Sequence, residues 1–166
     1  LGADDAVRVS AAFVAIGWHK PVEQYERYLA EQGRGERVAL VAEVDGQIAG
    51  YVTVQWVSGY EPFREAGIPE VKDLNVLPAW RRRGIATALM DEAEALVAQR
   101  SPAVGIGVGM YADYGPAQAM YVRRGYVPDA RGLTSGDRYV QGGDTVRADD
   151  DLTMQLVKTL TKPGGG

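Results

Sequence analysis

The chain has 166 residues, 46% of them hydrophobic and 24% charged, a balance typical of a globular protein with one domain. Because it has no cysteine and a single histidine, disulfides, thiolate catalysis and cysteine-based metal sites are excluded, and no zinc site is expected. The formal net charge of −4 argues against nonspecific binding to nucleic acid, no apolar run is long enough to span a membrane, and both properties are compatible with the cytoplasm.

The N-terminal half predicts two helices followed by a hairpin. Asp4-Asp5 can cap the first helix, while Pro21 suits the first turn of the second helix and Gly33 suits its end. Asp45-Gly46 is a tight-turn signal between two apolar runs, which predicts antiparallel strands. In chain order these elements are helices over residues 6–16 and 21–33, strands over 38–44 and 48–56, and a loop over 58–69.

The C-terminal half alternates strands and helices, so we expect an α/β fold with a mixed sheet flanked by helices. Gly105, Gly107 and Gly109 alternate along one strand and therefore share a face, which leaves room for a ligand or for a closely packed helix. Asp149-Asp150-Asp151 is interpreted as a solvated turn. The predicted elements are strands over 71–77, 103–110 and 152–156 and helices over 84–100 and 116–125.

The most informative feature is the basic turn Arg81–Thr87 between an apolar strand and a helix. A helix N-terminus presents unpaired N–H groups and the positive end of the helix dipole, which favour a phosphate. Gly84 lets a ligand approach the backbone closely. The turn is neither a Walker-type loop nor a Gly-x-Gly-x-x-Gly dinucleotide motif. The alternative interpretation is a surface loop with solvated arginines.

Two segments resemble the GCN5-related N-acetyltransferases, the GNAT family. Arg81-Arg82-Arg83-Gly84-Ile85-Ala86 is similar to the family's Arg/Gln-x-x-Gly-x-Gly/Ala signature, and residues 117–126 are similar to its Ala-x-x-Leu-Tyr-x-x-x-Gly-Phe/Tyr segment. The resemblance covers residues 11 to 158. It implies a single acetyltransferase domain over residues 1–160, a disordered tail at 161–166, and a sheet splayed between its two middle strands. The family's usual first strand is not visible before the first helix, a departure that suggests truncation.

The resemblance implies acetyl-CoA as the acyl donor. Its pyrophosphate would lie on the backbone N–H groups from Arg83 to Thr87, and its pantetheine arm would pair like an extra strand with residues 74–76. Tyr114 stands where many relatives carry an asparagine that contacts the cofactor. The implied cofactor-binding residues are Leu74, Asn75, Val76, Arg81, Arg82, Arg83, Gly84, Ile85, Ala86, Thr87, Tyr114 and Ala117.

Tyr121 aligns with the family's tyrosine that protonates the CoA thiolate, a role that suits a phenol with an ordinary pKa near ~10. The alternative is a core tyrosine. Glu70 and Asp73 are candidates for the base that deprotonates the amine, with a water chain as the alternative. Because they are an odd number of residues apart on a strand, only one can face the cleft unless a bulge intervenes.

The resemblance implies an enzyme that transfers an acetyl group from acetyl-CoA to a primary amine of a small molecule, and direct transfer is expected since no cysteine can carry an acyl-enzyme. A cationic acceptor such as an aminoglycoside or polyamine would be favoured by carboxylates expected on the acceptor side: Glu61, Glu65, Glu70 and Asp73. The alternatives are a protein or peptide N-acetyltransferase, a non-catalytic acyl-CoA-binding domain, and a regulator that binds another phosphate. No metal, nucleic-acid or membrane partner is expected, and a homodimer is left open.

Overall fold

The computed structural model describes residues 1–161, so the expected tail lies, apart from its first residue, outside the described residues. Short 3₁₀ turns lie at Pro78–Trp80 and Ala112–Tyr114. The helices are α1 (Asp5–Val14), α2 (Val22–Gly33), α3 (Glu61–Glu65), α4 (Ile85–Ala98) and α5 (Gly115–Arg123). The strands are β1 (Arg37–Val44), β2 (Gln47–Gln55), β3 (Glu70–Val76), β4 (Ala103–Gly109), β5 (Val127–Ser135), β6 (Arg138–Tyr139) and β7 (Leu152–Thr159).

The strands form one seven-stranded sheet in the order β1-β2-β3-β4-β7-β5-β6. Strands β3 and β4 are parallel and the other neighbours are antiparallel, which confirms the predicted mixed sheet. β3 and β4 are paired only where Glu70 faces Gly105 and Val71 faces Ile106, and beyond these positions the two strands separate. The predicted splay between the middle strands is therefore present.

Side chains along each strand point alternately to the two faces of the sheet. Both faces carry apolar side chains, and helices cover both. On one face, Val104, Ile106 and Val108 of β4 pack in the same core as Met90 of α4 and Tyr121 of α5. A second core joins the opposite face to α1 and α2 and includes Phe13, Tyr25 and Tyr51. Burial of apolar surface on both faces, which stabilises the fold, fixes the positions of the strand ends that build the site.

The glycine face of β4 is covered by side chains. An added Cβ would lie 2.2 Å from the ring of Phe63 at Gly105 and 2.3 Å from the ring of Tyr114 at Gly109. The sequence left room on this face for either a ligand or a closely packed helix. At these two glycines the structure has close packing, and the neighbours are aromatic rings. Phe63 comes from α3, a short helix inside the segment that was expected to be a loop.

Two further differences from the sequence prediction concern strands. β5 and β6 were not predicted, because most of their residues are exposed and show no clear alternation. β7 extends three residues beyond the predicted end, since it pairs with β4 as far as Thr159. Among the described residues, no helix is long and apolar enough to span a membrane, and no cluster of acidic residues and histidine could hold a metal ion.

Candidate active site

The separation of β3 from β4 opens a cleft of about 1420 Å³. Its walls are the C-terminal parts of β3 and β4, the turn before α4, the start of α5, the loop between α1 and α2, and residues next to β7. Pockets for a single small ligand commonly measure ~300–1,000 Å³. The cleft is therefore larger than a pocket for one small ligand.

The turn before α4 has the geometry of an anion site. Arg82 and Gly84 both adopt left-handed backbone conformations, with φ of 59° and 79°. The first hydrogen bond of the helix runs from the N–H of Ala88 to the carbonyl of Gly84 at 2.9 Å. Within residues 1–161, the N–H groups from Arg83 to Thr87 have no protein acceptor, and no side chain caps the helix. These donors and the helix dipole attract a phosphate group.

Eleven of the twelve predicted cofactor-binding residues line this cleft: Leu74, Asn75, Val76, Arg81, Arg82, Gly84, Ile85, Ala86, Thr87, Tyr114 and Ala117. The exception is Arg83, whose guanidinium lies 5.0 Å from the centre of the Trp80 ring. Arg81 donates from Nε to the carbonyl of Val76 at 3.2 Å, and its guanidinium lies 5.6 Å from the Trp18 ring. Arg81 thereby connects the basic turn to the loop between α1 and α2.

Tyr121 lies on the wall of the cleft, where α5 packs against the sheet. Its side chain is almost fully buried, and this burial raises the pKa of the phenol to about 12. The ring packs edge-on against Tyr126, with 5.8 Å between the ring centres. The phenol is therefore protonated at neutral pH and available as a proton donor.

Asp73 lies at a β-bulge. Such a bulge between Glu70 and Asp73 was allowed for in the prediction from sequence. Tyr51 pairs with Asn75 but Thr53 pairs with Lys72, so β3 has an extra residue at this point, and Asp73 has a φ of 60°. Its carboxylate accepts hydrogen bonds from five side chains at 2.7–3.2 Å: Lys20, Gln24, Tyr28, Tyr51 and Asn75.

This network controls the ionisation of Asp73. Burial alone would raise the pKa of its carboxyl, but the charge of Lys20 and the hydrogen bonds from Tyr28 and Tyr51 outweigh burial and lower that pKa. A carboxylate with a lowered pKa and five donors is a weak base. Asp73 does line the cleft, and its contacts tie β2, β3, α2 and the loop before α2 together.

Glu70, the other candidate base, does not lie on the cleft wall. It belongs to the part of β3 that still pairs with β4, its side chain is buried, and its carboxylate accepts a hydrogen bond from Ser58. Glu61 and Glu65 are exposed on α3 and do not line the cleft either. The expected acidic entrance is thus not formed by these residues, because only Asp73 of the four faces the cleft.

Besides Asp73, the cleft is lined by two carboxylates that sequence reasoning missed, Asp113 and Asp150. The hydroxyls of Tyr111 and Tyr114 donate to the same oxygen of Asp150 at 2.6 and 2.9 Å. These two hydrogen bonds lower the pKa of Asp150. Its tyrosine partners are 39 and 36 residues away in the chain, so the acidic run that was interpreted as a solvated turn carried no signal of this contact.

Known proteins resemble this chain in sequence and in fold. The model of the Acetyltransferase (GNAT) family matches residues 10–126. A GNAT-family acetyltransferase from Desulfovibrio desulfuricans is 18% identical with a TM-score of 0.70, over 95% of this chain and 94% of that chain. Ribosomal-protein-alanine N-acetyltransferase from Brucella melitensis is 19% identical with a TM-score of 0.69, over 96% and 97% of the two chains.

A third solved structure was determined with a ligand. The PaiA N-acetyltransferase from Thermoplasma acidophilum, in complex with coenzyme A, is 12% identical with a TM-score of 0.58, over 84% of this chain and 71% of that chain. At these identities the three structures establish a shared fold. No curated protein sequence matches the chain.

Proposed function

The chain belongs to the GNAT acetyltransferase family and is an N-acetyltransferase, and from this premise we propose that it transfers an acetyl group from acetyl-CoA directly to the primary amine of a small molecule. The observation that carries the proposal is the splayed cleft, which combines a turn with unpaired N–H groups, a free strand edge and a buried neutral phenol. Its volume suits a donor and an acceptor bound together, as direct transfer requires.

The cofactor would be held mainly by the backbone. The N–H groups from Arg83 to Thr87 would bind the pyrophosphate, and Arg82 would add a positive charge at the cleft. β3 has no β4 partner at residues 74–76, so that edge of the strand can pair with the amides of the pantetheine arm. The coenzyme A complex of a protein with the same fold supports this assignment.

The chemistry would proceed by direct attack. The amine nitrogen bonds to the thioester carbonyl carbon, the carbon–sulfur bond breaks, and Tyr121 gives its proton to the leaving thiolate. Burial keeps this phenol protonated until that step, and water restores the proton after CoA leaves. Tyr121 is the catalytic residue in this proposal.

The proton released by the amine must also be accepted. The lowered pKa of Asp73 and its five donors make it a poor acceptor, and Glu70 is not on the cleft wall. We therefore infer that the amine loses its proton to water, and that Asp73 acts as a positioning residue for the loop before α2.

The acceptor would enter as an ammonium ion. Asp113 and Asp150 lie on the cleft wall, and a negative potential there would concentrate cationic amines. Cationic small molecules, polyamines and aminoglycosides among them, are the acceptor class that these carboxylates favour.

An acceptor panel tests the proposal. Purified protein is incubated with acetyl-CoA and a polyamine, an aminoglycoside, an acidic amino acid, or a peptide that begins with alanine, and both CoA release and the acetylated product are measured. We expect acetylation of a small cationic amine. Acetylation of the peptide alone would assign a protein acceptor, whereas tight CoA binding without turnover on any amine would indicate a non-catalytic domain.

A further inference from the structure

A second cavity, of about 430 Å³, lies beside the cleft. Lys20 and Asp73 line both spaces, so the two spaces are neighbours separated by this ion pair. We call the second space the basic cavity. Its wall is formed by Lys20, Gln24, Arg27, Tyr28, Arg37, Lys72 and Asp73.

The basic cavity concentrates positive charge in an acidic chain. Four cationic side chains line it, against one carboxylate on its wall, although the net charge of the whole chain is −4. Lys20 is paired with Asp73 at 3.2 Å. Arg27 and Arg37 share a single carboxylate, Glu31. The local charge is therefore uncompensated and attracts an anion.

The two arginines are held beside one aromatic ring. The guanidinium of Arg37 lies 4.6 Å from the centre of the Tyr28 ring, and that of Arg27 lies 5.7 Å from the same centre. Arg37 is buried and donates to the hydroxyl of Thr53 at 2.7 Å. Glu31 offsets part of the repulsion between these two positive charges, and a bound anion would offset more of it.

The remaining donors suit such an anion. A guanidinium has five N–H donors, and among residues 1–161 Arg37 donates to Glu31 and Thr53 and to no other residue. Lys72 is exposed and, within residues 1–161, has no carboxylate within ion-pair distance. Carboxylate and phosphate groups accept the charge-assisted hydrogen bonds that these donors can make.

We propose that the basic cavity binds an anionic group, a carboxylate or a phosphate, carried by the amine acceptor. The inference rests on the proposed function and narrows it. The acceptor is an amine with a positive reacting end, which Asp113 and Asp150 attract, and a negative far end, which Arg27, Arg37 and Lys72 bind. A polyamine satisfies only the first of these requirements.

A matched set of acceptors tests this. Linear ω-amino carboxylates of four, six and eight carbons are compared with alkylamines and diamines of the same lengths. We expect one of the amino carboxylates to exceed both counterparts in kcat/KM by about tenfold, the size of one charge-assisted hydrogen bond. A diamine or alkylamine that matches or exceeds every amino carboxylate would overturn the inference.

Substitutions in the basic cavity test which side chains give the amino carboxylate its higher kcat/KM. Arg27→Gln and Lys72→Gln remove exposed charges of the basic cavity, so folding should be unchanged. Each should reduce the advantage of the amino carboxylate about fivefold and leave both the alkylamine and the KM for acetyl-CoA unchanged. Arg34→Gln is the control, because Arg34 is paired with Glu36 and does not line the cavity. A raised KM for acetyl-CoA in Arg27→Gln would assign the cavity to the cofactor and overturn the inference.

A binding measurement separates this inference from the proposed function. Inorganic phosphate is titrated calorimetrically into protein saturated with CoA, so that the turn before α4 is occupied. We expect Arg27→Gln to bind phosphate about fivefold more weakly than the parent, and Arg34→Gln to bind it as tightly as the parent. If no amine is acetylated but phosphate binding still depends on Arg27, the proposed function fails and the anion site stands. Equal binding in all variants would refute the anion site even in an active enzyme.

Discussion

The two sides of the cleft are built by different means. We name the two sides after the substrates proposed for them. The cofactor side, residues 74–76 and 81–87, presents mainly backbone: unpaired N–H groups, two left-handed residues and a free strand edge. The acceptor side, around Asp73 and Asp150, presents side chains whose carboxylates are already hydrogen-bonded to tyrosines. The cofactor side is thus open to a ligand without rearrangement, whereas the acceptor side is a rigid frame of charges.

The comparison predicts how the two sides respond to substitution. Backbone donors cannot be removed by changing a side chain, so the cofactor side is sensitive to bulk and charge. The acceptor side depends on individual carboxylates. Removal of one of them should therefore lower the stability of the protein or raise the KM for the amine.

The largest expected effect is on turnover, at Tyr121, the proposed proton donor on the cleft wall. Tyr121→Phe should lower kcat by about 10²–10³ and change the KM for acetyl-CoA by less than about threefold, because only the proton donor is lost. Steady-state kinetics with saturating amine measures both quantities.

Tyr126→Phe is the matched control, since it alters the other ring of the same pair. The hydroxyl of Tyr126 donates to Glu94 at 3.1 Å, away from the cleft, so its loss should reduce stability and not turnover. An unchanged kcat in Tyr121→Phe would remove this residue from the mechanism.

The next effect concerns the cofactor side. Gly84→Asp introduces a negative charge where the pyrophosphate is expected, and acetyl-CoA binding should weaken about 100-fold. Gly84→Asn controls for the backbone, because asparagine tolerates a φ of 79° nearly as well as aspartate and an added Cβ meets no atom within 4 Å. We expect Gly84→Asn to lose about tenfold or less by calorimetry. Equal losses in the two variants would show that charge repulsion is not involved.

The same contrast explains what could be predicted from sequence. The basic turn and the helix start that follows it are contiguous, so an anion site there could be predicted from the residues themselves. The cofactor roles of residues 74–76, Tyr114 and Ala117, which also line the cleft, followed from the family resemblance. α4 was confirmed at Ile85–Ala98 for the same reason, since helical periodicity is a local property.

The acceptor side could not be predicted because its contacts are distant in sequence. Strand alternation put Glu70 and Asp73 on opposite faces, but the bulge that redirects Asp73 depends on pairing with β2. α3 was not predicted because its segment is rich in aromatic residues and prolines. The position of Phe63 depends on packing against Gly105 of β4, which is distant in sequence. Asp150 is hydrogen-bonded to Tyr111 and Tyr114, which lie 39 and 36 residues earlier in the chain.

A smaller effect should appear in stability at Asp73. Asp73→Asn removes the charge that faces Lys20, and we expect unfolding to become easier by about 2 kcal/mol near neutral pH. The lowered pKa of Asp73 means that this contribution is present above the ordinary pKa of an aspartate and is lost as the pH falls through the lower folded-state value. The difference between variant and parent should therefore shrink below about pH 4.

Urea denaturation at pH 7 and at pH 3.5 measures this difference. Asp45→Asn is the control, because Asp45 is also left-handed, with a φ of 51°, but lies exposed in the hairpin turn. It should leave stability unchanged at both values of pH. An equal loss in the two variants would place the effect in the backbone conformation and not in the Asp73 network.

The smallest effect is expected at Asp150, which is exposed at the cleft and acts through its charge. Asp150→Asn keeps the shape of the side chain, so kcat should be unchanged, while the KM for a cationic amine should rise about fivefold at low ionic strength. Salt should reduce this difference, because exposed charges are screened beyond roughly 10 Å at 0.1 M. Asp149→Asn provides the comparison, since Asp149 does not line the cleft; its carboxylate accepts the N–H of Asp151 and lies 3.8 Å from Nε of Arg147. If the parent and Asp150→Asn have the same KM at every salt concentration, the acceptor side contributes shape alone, and the electrostatic difference between the two sides of the cleft does not guide the amine.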